Sequence, residues 1–203
     1  VPLASGELES LRAPLLEGLR ALQGEEGWPL PPEPLTEALL EYTEELFKFN
    51  EKLGLVESTP SEFVHAHLLD SLAPVAALPP ASRARLLRGS AALDAGSGAG
   101  LPGIPLALAF PELQMTLLDR SGRRCGFLRN ALAILGRRDV GVFQGTLREA
   151  RRRRGATVEL LVARAFHPLD LRLYEELSGL LVPGGEIMLY KGRREQAEEE
   201  VQT

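Results

Sequence analysis

The sequence predicts an α/β protein, with a mostly parallel, doubly wound sheet preceded by an N-terminal helical appendage. Three observations carry this expectation. Leucines recur at spacings of three and four through residues 1–80, the helical period. From about residue 89, short apolar runs alternate with helix-length segments, as right-handed βαβ units require. Between them, Ala91–Gly103 (AALDAGSGAGLPG) runs from an apolar stretch through Asp94 into a glycine-rich turn and on into an apolar helix. In such a sheet a ligand belongs beyond the carboxyl ends of the strands, at the switch point.

The appendage comes first. Leu8, Leu11, Leu15, Leu16, Leu19 and Leu22 predict a helix over 3–23. Trp28 sits in a break with Pro29, Pro31, Pro32 and Pro34, and Leu39, Tyr42, Leu46, Phe49 and Leu53 then predict a second helix over 35–53. Thr59-Pro60-Ser61-Glu62 combines a capping residue, a first-position proline and a glutamate spaced for a capping box. The helix it opens carries Phe63, Val64, Leu68, Leu69, Leu72 and Val75 and ends near Pro79-Pro80. The expected division is 1–80, helical, and 81–203, the ligand-binding domain.

Strands are predicted at 91–94, 115–119, 140–144, 159–164 and 186–191, with helices at about 103–109, 121–136, 146–154 and 169–181. Pro183-Gly184-Gly185 reads as a turn into the fifth strand. Gly98, Gly100 and Gly103 spell the dinucleotide fingerprint G-x-G-x-x-G, but out of register, because the strand ends near Asp94. Counted from Gly96 the pattern is D-x-G-x-G-x-G. An ordinary strand-to-helix turn would also satisfy it. A cofactor turn explains better why three glycines alternate there, since glycine accepts φ > 0 and lets a ligand approach bare backbone.

Charge divides the chain of 203 residues. Residues 1–80 carry 14 acidic and 4 basic side chains, whereas residues 81–192 carry 10 acidic and 17 basic ones, the basic ones all arginine except Lys191. Arginine suits phosphate through its planar fork, so nucleic-acid contact is expected, with arginine-rich composition as the plainer alternative. One cysteine, Cys125, excludes an intrachain disulfide framework and a cysteine-cluster metal site; no metal is expected. Without a long apolar run or a signal-like start, the expectation is a cytoplasmic protein with no membrane span.

Asp119 ends the second predicted strand, 23 residues after Gly96. Such folds place a ribose-binding acid there, although a helix cap is the other use of that position. Gly145-Thr146-Leu147-Arg148 opens a helix after the third strand, where it could edge an adenine or simply cap. Ala163-Arg164-Ala165-Phe166 follows the fourth strand, which puts Arg164 on the ligand side. As a crevice-lining residue, Arg164 is expected to contribute little to the core; a structural clamp to an acid such as Asp94 or Asp119 is the competing role.

The D-x-G-x-G-x-G turn resembles motif I of S-adenosylmethionine-dependent methyltransferases. From about Phe49 to Gly192 the chain is similar to one family in particular, the bacterial small-subunit ribosomal RNA guanine-N7 methyltransferases of the RsmG or GidB type. The segments that carry the resemblance are HLLDSL (67–72), LDAGSGAGLPGIPLA (93–107), LLDRSGRRCGFLR (117–129), ARAF (163–166) and YKG (190–192). The GLPGIP extension is far more specific than the glycines. Three positions depart from the family: Gly54-Leu55-Val56 stands where N-L-T is usual, Ala66 where arginine commonly precedes the histidine, and His167 where a small residue is usual.

The resemblance implies a Rossmann-like class I methyltransferase sheet that binds S-adenosyl-L-methionine through Asp94, Gly96, Gly98, Gly100, Leu101, Asp119, Arg120, Ser121, Leu147, Arg148 and Arg164. It makes Arg164 the residue at the methyl donor and the substrate. It implies methylation of guanine N7 at guanosine 527 of 16S rRNA, as free RNA or in the 30S subunit, by a protein expected to be monomeric. Arg123, Arg124, Arg129, Arg151, Arg152, Arg153, Arg154 and Lys191 would hold RNA phosphates. His67 and Asp70 match characteristic positions without an assigned role, and family strands beyond Gly192 are expected to be missing. A small-molecule methyltransferase and a non-catalytic RNA- or ribosome-binding protein remain as alternatives. The first needs an enclosed pocket, and cofactor binding separates the second from both enzymes.

Overall fold

Alternation along three strands builds two cores. Ala92, Met115, Leu117, Leu160 and Val162 face one way, and Leu93, Leu118, Leu161 and Ala163 the other, the period-2 consequence of a pleated backbone. Apolar on both faces, such strands must be covered by helices on both sides. The computed structural model, described here for residues 3–24, 28–155, 157–164 and 170–190, has that arrangement. Strands β1 (Ala91–Ala95), β2 (Gln114–Asp119), β3 (Gly141–Gln144), β4 (Val158–Arg164) and β5 (Leu181–Tyr190) form a parallel sheet in the order β3-β2-β1-β4-β5. The winding reverses between β1 and β4, which sets the switch point at the end of β1.

The helical appendage comprises α1 (Ser5–Gln23), α2 (Pro32–Leu53), a helix of two parts, α3 (Pro60–Phe63) and α4 (Asp70–Ala77), joined by a π-helical turn (Val64–Leu69), and α5 (Pro80–Leu87). The capping box forms as the residues require: the Glu62 carboxylate accepts from Thr59 N–H at 2.8 Å and the Thr59 hydroxyl oxygen from Glu62 N–H at 3.3 Å. In the sheet portion, α6 (Gly103–Ala109) and α7 (Gly122–Ile134) lie between the sheet and the appendage, while α8 (Leu147–Arg154) and α9 (Leu171–Ser178) cover the other face.

Appendage and sheet share one core. Leu15, Leu19, Leu39, Leu46, Phe63 and Leu72 are buried in the same cluster as Ile104, Leu117 and Leu128. Trp28 meets Phe110 with ring centroids 5.5 Å apart, and Phe49 meets Phe127 at 5.9 Å. Four details differ from the sequence expectation. The helix from Pro60 contains the π-turn, α5 was not anticipated, and α9 is shorter than 169–181. Strand β5 starts at Leu181 instead of 186: Val158 pairs with Leu181 and Leu160 with Glu186, so Pro183-Gly184-Gly185 bulges out of a strand rather than preceding it. Among the described residues, no helix is long and apolar enough to cross a membrane.

Candidate functional site

The glycine turn is organised from beneath by an acid. Asp94 is fully buried at the end of β1, and its carboxylate accepts from the Ser97 hydroxyl and, at 3.0 Å, from Gly103 N–H at the start of α6. Gly96, Gly98 and Gly100 all have positive φ (73°, 57° and 99°), a region that side chains with a Cβ avoid. That is the turn read from Gly96, not the dinucleotide register. Gly103 is there for space: a Cβ would stand 2.3 Å from Leu117 Cδ2 and 2.6 Å from Asp94 Oδ2.

Burial, opposed by its two hydrogen bonds, pushes the Asp94 carboxyl up to about 7, and its Oδ1 has no partner among the described residues. A carboxyl whose folded value lies above its unfolded one keeps a proton that the unfolded chain has lost, so its contribution to stability declines as pH rises from about 4 to 7. Urea midpoints at pH 5 and pH 8 should therefore show a decline in the wild-type protein that is flatter in Asp94→Asn. Equal slopes in the two proteins would remove Asp94 as the cause.

Asp119, at the end of β2, is held in place by two backbone donors. Its Oδ2 accepts from Gly98 N–H at 3.0 Å and its Oδ1 from Ser121 N–H at 2.7 Å. A carboxylate oxygen offers about two lone pairs, so each keeps one for a ligand hydroxyl. Above these groups lies a cavity of about 450 Å³, lined by Gly96, Leu118, Asp119, Arg120, Arg124, Gly145, Thr146, Leu147, Arg164, Leu173 and Glu176. It spans the carboxyl ends of β1 to β4, which is where the topology puts a ligand.

Gly96, Asp119, Arg120, Leu147 and Arg164, expected from the sequence, meet on this wall. The other expected cofactor residues do not line it. Asp94 lies beneath the turn, and Gly98 serves as donor to Asp119. Gly100, where a Cβ would collide with Ile104, and the buried Leu101 belong to the core. Ser121 caps α7, and Arg148 bonds to the cavity-lining Glu176 at 2.9 Å without lining the cavity itself. Leu118, Leu173 and Glu176 were missed. Leu118 is one of several apolar residues in its strand, and α9 reaches the cavity only through tertiary packing.

Arg164 lines the cavity, but its guanidinium is engaged with the π-turn. It donates to the Ala66 carbonyl, to the His67 carbonyl at 3.2 Å and to Ser71 Oγ at 3.3 Å, and pairs with the Asp70 carboxylate at 3.1 Å. A π-turn departs from the regular i→i−4 ladder and so leaves carbonyls for side chains. This gives Asp70 and the His67 backbone a role that the sequence left open. It also corrects the expectation that Arg164 contributes little to the fold: it is a clamp between β4 and the appendage, paired with Asp70 rather than with Asp94 or Asp119. The His67 ring packs on Phe63 (5.3 Å), and burial, then the Arg164 charge, lower its pKa.

The arginines expected at RNA do not form one patch. Arg123 and Arg124 project from the first turn of α7, and Arg129 lines a separate pocket with Arg137 and Arg138. Along α8 the helical period sends successive residues in different directions: the Arg151 guanidinium lies against Gly179 and Arg153 sits 5.6 Å over the Phe143 ring, although Arg151, Arg152 and Arg153 are all exposed. The Arg154 side chain, residues 165–169 (with Ala165, Phe166 and His167) and Lys191 lie outside the described residues.

Among solved structures, ribosomal protein L11 methylase from Lactobacillus delbrueckii subsp. bulgaricus superposes with a TM-score of 0.53 over 73% of this chain and 69% of its own, at 18% identity, a likeness of fold alone. Ribosomal RNA small subunit methyltransferase G of Alkalilimnicola ehrlichii is 39% identical over 168 residues, covering 82% of this chain and 71% of the relative. The protein of the same name from Methylococcus capsulatus is 37% identical over 163 residues, 80% of this chain and 74% of its own. The GidB family, described as rRNA small subunit methyltransferase G, matches residues 35–203, and the chain belongs to that family.

Proposed function

We propose that the protein binds S-adenosyl-L-methionine in the cavity above the glycine turn and methylates guanine N7 in small-subunit rRNA, at guanosine 527 of the 16S molecule. The observation that carries the reading is the pairing of a positive-φ glycine turn with an acid, Asp119, that is held by two amides and lines the cavity. The donor set fits the cofactor. Asp119 can accept from ribose hydroxyls, Gly145, Thr146 and Leu147 can edge the adenine, and the bare backbone at Gly96 suits the amino-acid end.

S-adenosylmethionine supplies a methyl group already activated on a sulfonium. Guanine N7 has a lone pair and no proton, so the acceptor needs no base. What remains for the chain is orientation, exclusion of water and favourable charge placement. That accords with a wall rich in arginine. With both terminal nitrogens bonded to the π-turn and its neighbours Asp70 and Ser71, Arg164 acts by fixing the end of β4 and by its charge.

Calorimetry with S-adenosylmethionine, followed by labelled transfer to naked rRNA and to 30S particles with mapping of the methyl group, tests the reading. Binding without transfer to RNA would leave the small-molecule alternative; no binding would leave the non-catalytic one. Leu173→Trp should weaken cofactor binding at least about tenfold by filling the cavity, while the thermal midpoint of this half-buried position changes little. Unchanged affinity would move the cofactor elsewhere.

A further inference from the structure

Beside the cofactor cavity lies a second one of about 340 Å³, between the C-terminal end of α2 and the N-terminal end of α7. It is lined by Lys52, Leu53, Asp119, Arg120, Ser121, Arg123 and Arg124. Four of the seven are cations, and the one acid, Asp119, accepts from two amides and pairs with Arg124 at 3.8 Å, so the cations outnumber it by three. All four cationic residues are exposed. We propose that this cavity holds a backbone phosphate of the substrate RNA, next to the methylated nucleotide's site. The proposal rests on the RNA-methyltransferase reading above and names a phosphate subsite for it.

The charge arrangement is the reason. A helix N-terminus carries a partial positive charge and favours acids in its first turn. Five other helices obey: α1 opens with Glu7, α2 with Glu33, α3 with Glu62, α4 with Asp70 and α8 with Glu149. The 13-residue α7 does the opposite, as does α9, whose first-turn Arg172 is however paired with Glu176 at 3.7 Å. The first turn of α7 has no acid and carries Arg123 and Arg124, with Arg120 just ahead of its cap and Lys52 across the cavity. Cations gathered at the positive end of a dipole are a local electrostatic conflict, and such conflicts concentrate at functional sites. An anion resolves it, by neutralising the cations and meeting the dipole with the right sign.

The cofactor is not that anion. S-adenosylmethionine has no phosphate, and its cavity is walled by the glycine turn and the ends of β3 and β4, which the second cavity lacks. The two share Asp119, Arg120 and Arg124. A phosphodiester bound in one therefore lies against the mouth of the other, where the base must enter. Phosphate contacts of this kind set register and orientation rather than sequence choice.

Lys52→Ala/Arg123→Ala is the variant to test, because neither side chain lines the cofactor cavity. The probe is a single-stranded rRNA fragment containing the target guanosine, and cofactor affinity is measured on the same preparation. The expected result is a five- to tenfold loss of RNA affinity with cofactor affinity within twofold of wild type. The slope of log affinity against log salt should become shallower by about 1.4, roughly 0.7 for each lost single-strand contact. Unchanged RNA affinity and slope would overturn the proposal. So would an equal loss of cofactor affinity, which would make the cavity part of the cofactor site. Intact binding to the RNA fragment with weakened binding to whole 30S particles would also overturn it, and assign the cations to an acidic protein surface. The enzyme reading is judged separately, by cofactor binding and methyl transfer in the wild-type protein.

Discussion

Arg164→Ala lowers the thermal midpoint by roughly 5–10 °C, for a loss of about 2–3 kcal/mol. Truncation removes the donor from the Ala66 and His67 carbonyls and from Ser71, and leaves Asp70 without its cation. The side chain is only 17% exposed, whereas Asp70 is 54% exposed. The ion pair is therefore the small part of the effect, and the loss of charge-assisted bonds to partly buried acceptors is the large part. Asp70→Asn should consequently cost much less than Arg164→Ala. Arg164→Lys keeps the charge but cannot span the same set of acceptors, and should recover less than half of the loss. Melting curves of the three variants, with single-turnover rates per folded molecule, check this. An Arg164→Ala protein as stable as wild type but slow would return Arg164 to the reacting groups.

Gly103→Ala is the second large effect, and its sign is informative. Glycine-to-alanine at a helical position ordinarily stabilises, by roughly 0.5–1 kcal/mol. Here the new Cβ would stand 2.3 Å from Leu117 Cδ2, 2.6 Å from Asp94 Oδ2 and 2.9 Å from Asp94 Cβ. Leu117 Cδ2 is the end of a flexible side chain and can shift, but Asp94 is fully buried and bonded to Gly103 itself. Overpacking of that kind costs roughly 1–3 kcal/mol, enough to reverse the helical gain. Displacing the Asp94 carboxylate also loosens Ser97 and the turn, so cofactor affinity should fall at least about tenfold along with the midpoint. A stabilised Gly103→Ala protein with normal affinity would show that Asp94 does not brace the turn.

The serial arginines of α8 give a smaller expectation. Replacing Arg151–Arg154 with serine should flatten the salt dependence of RNA binding by fewer contacts than four, because Arg151 and Arg153 are directed to Gly179 and Phe143. A full four-contact change would place all of them on RNA.

The parallel sheet, the strand ends and the glycine turn were legible in the sequence because each rests on local rules. Strands alternate in burial with period 2, glycines accept positive φ at Gly96 and Gly98, and Thr59 and Glu62 close a box over three residues. Family membership was legible in the same way, from contiguous segments such as LDAGSGAGLPGIPLA. The partners of charged side chains were decided by tertiary structure. Nothing within ARAF indicates that Arg164 bonds to carbonyls 97 and 98 positions earlier, in the π-turn of another helix. The spacing pointed to Asp119 as the ligand's acid, but the motif grouped Asp94 with it, and nothing local showed that Asp94 lies beneath the turn. Asp94 lies on β1, covered on both sides, and Asp119 at the end of β2 opens on the cavity. A residue's type and period follow from its neighbours in sequence, but which charges are buried, paired or left open to a ligand depends on what the folded chain brings against them.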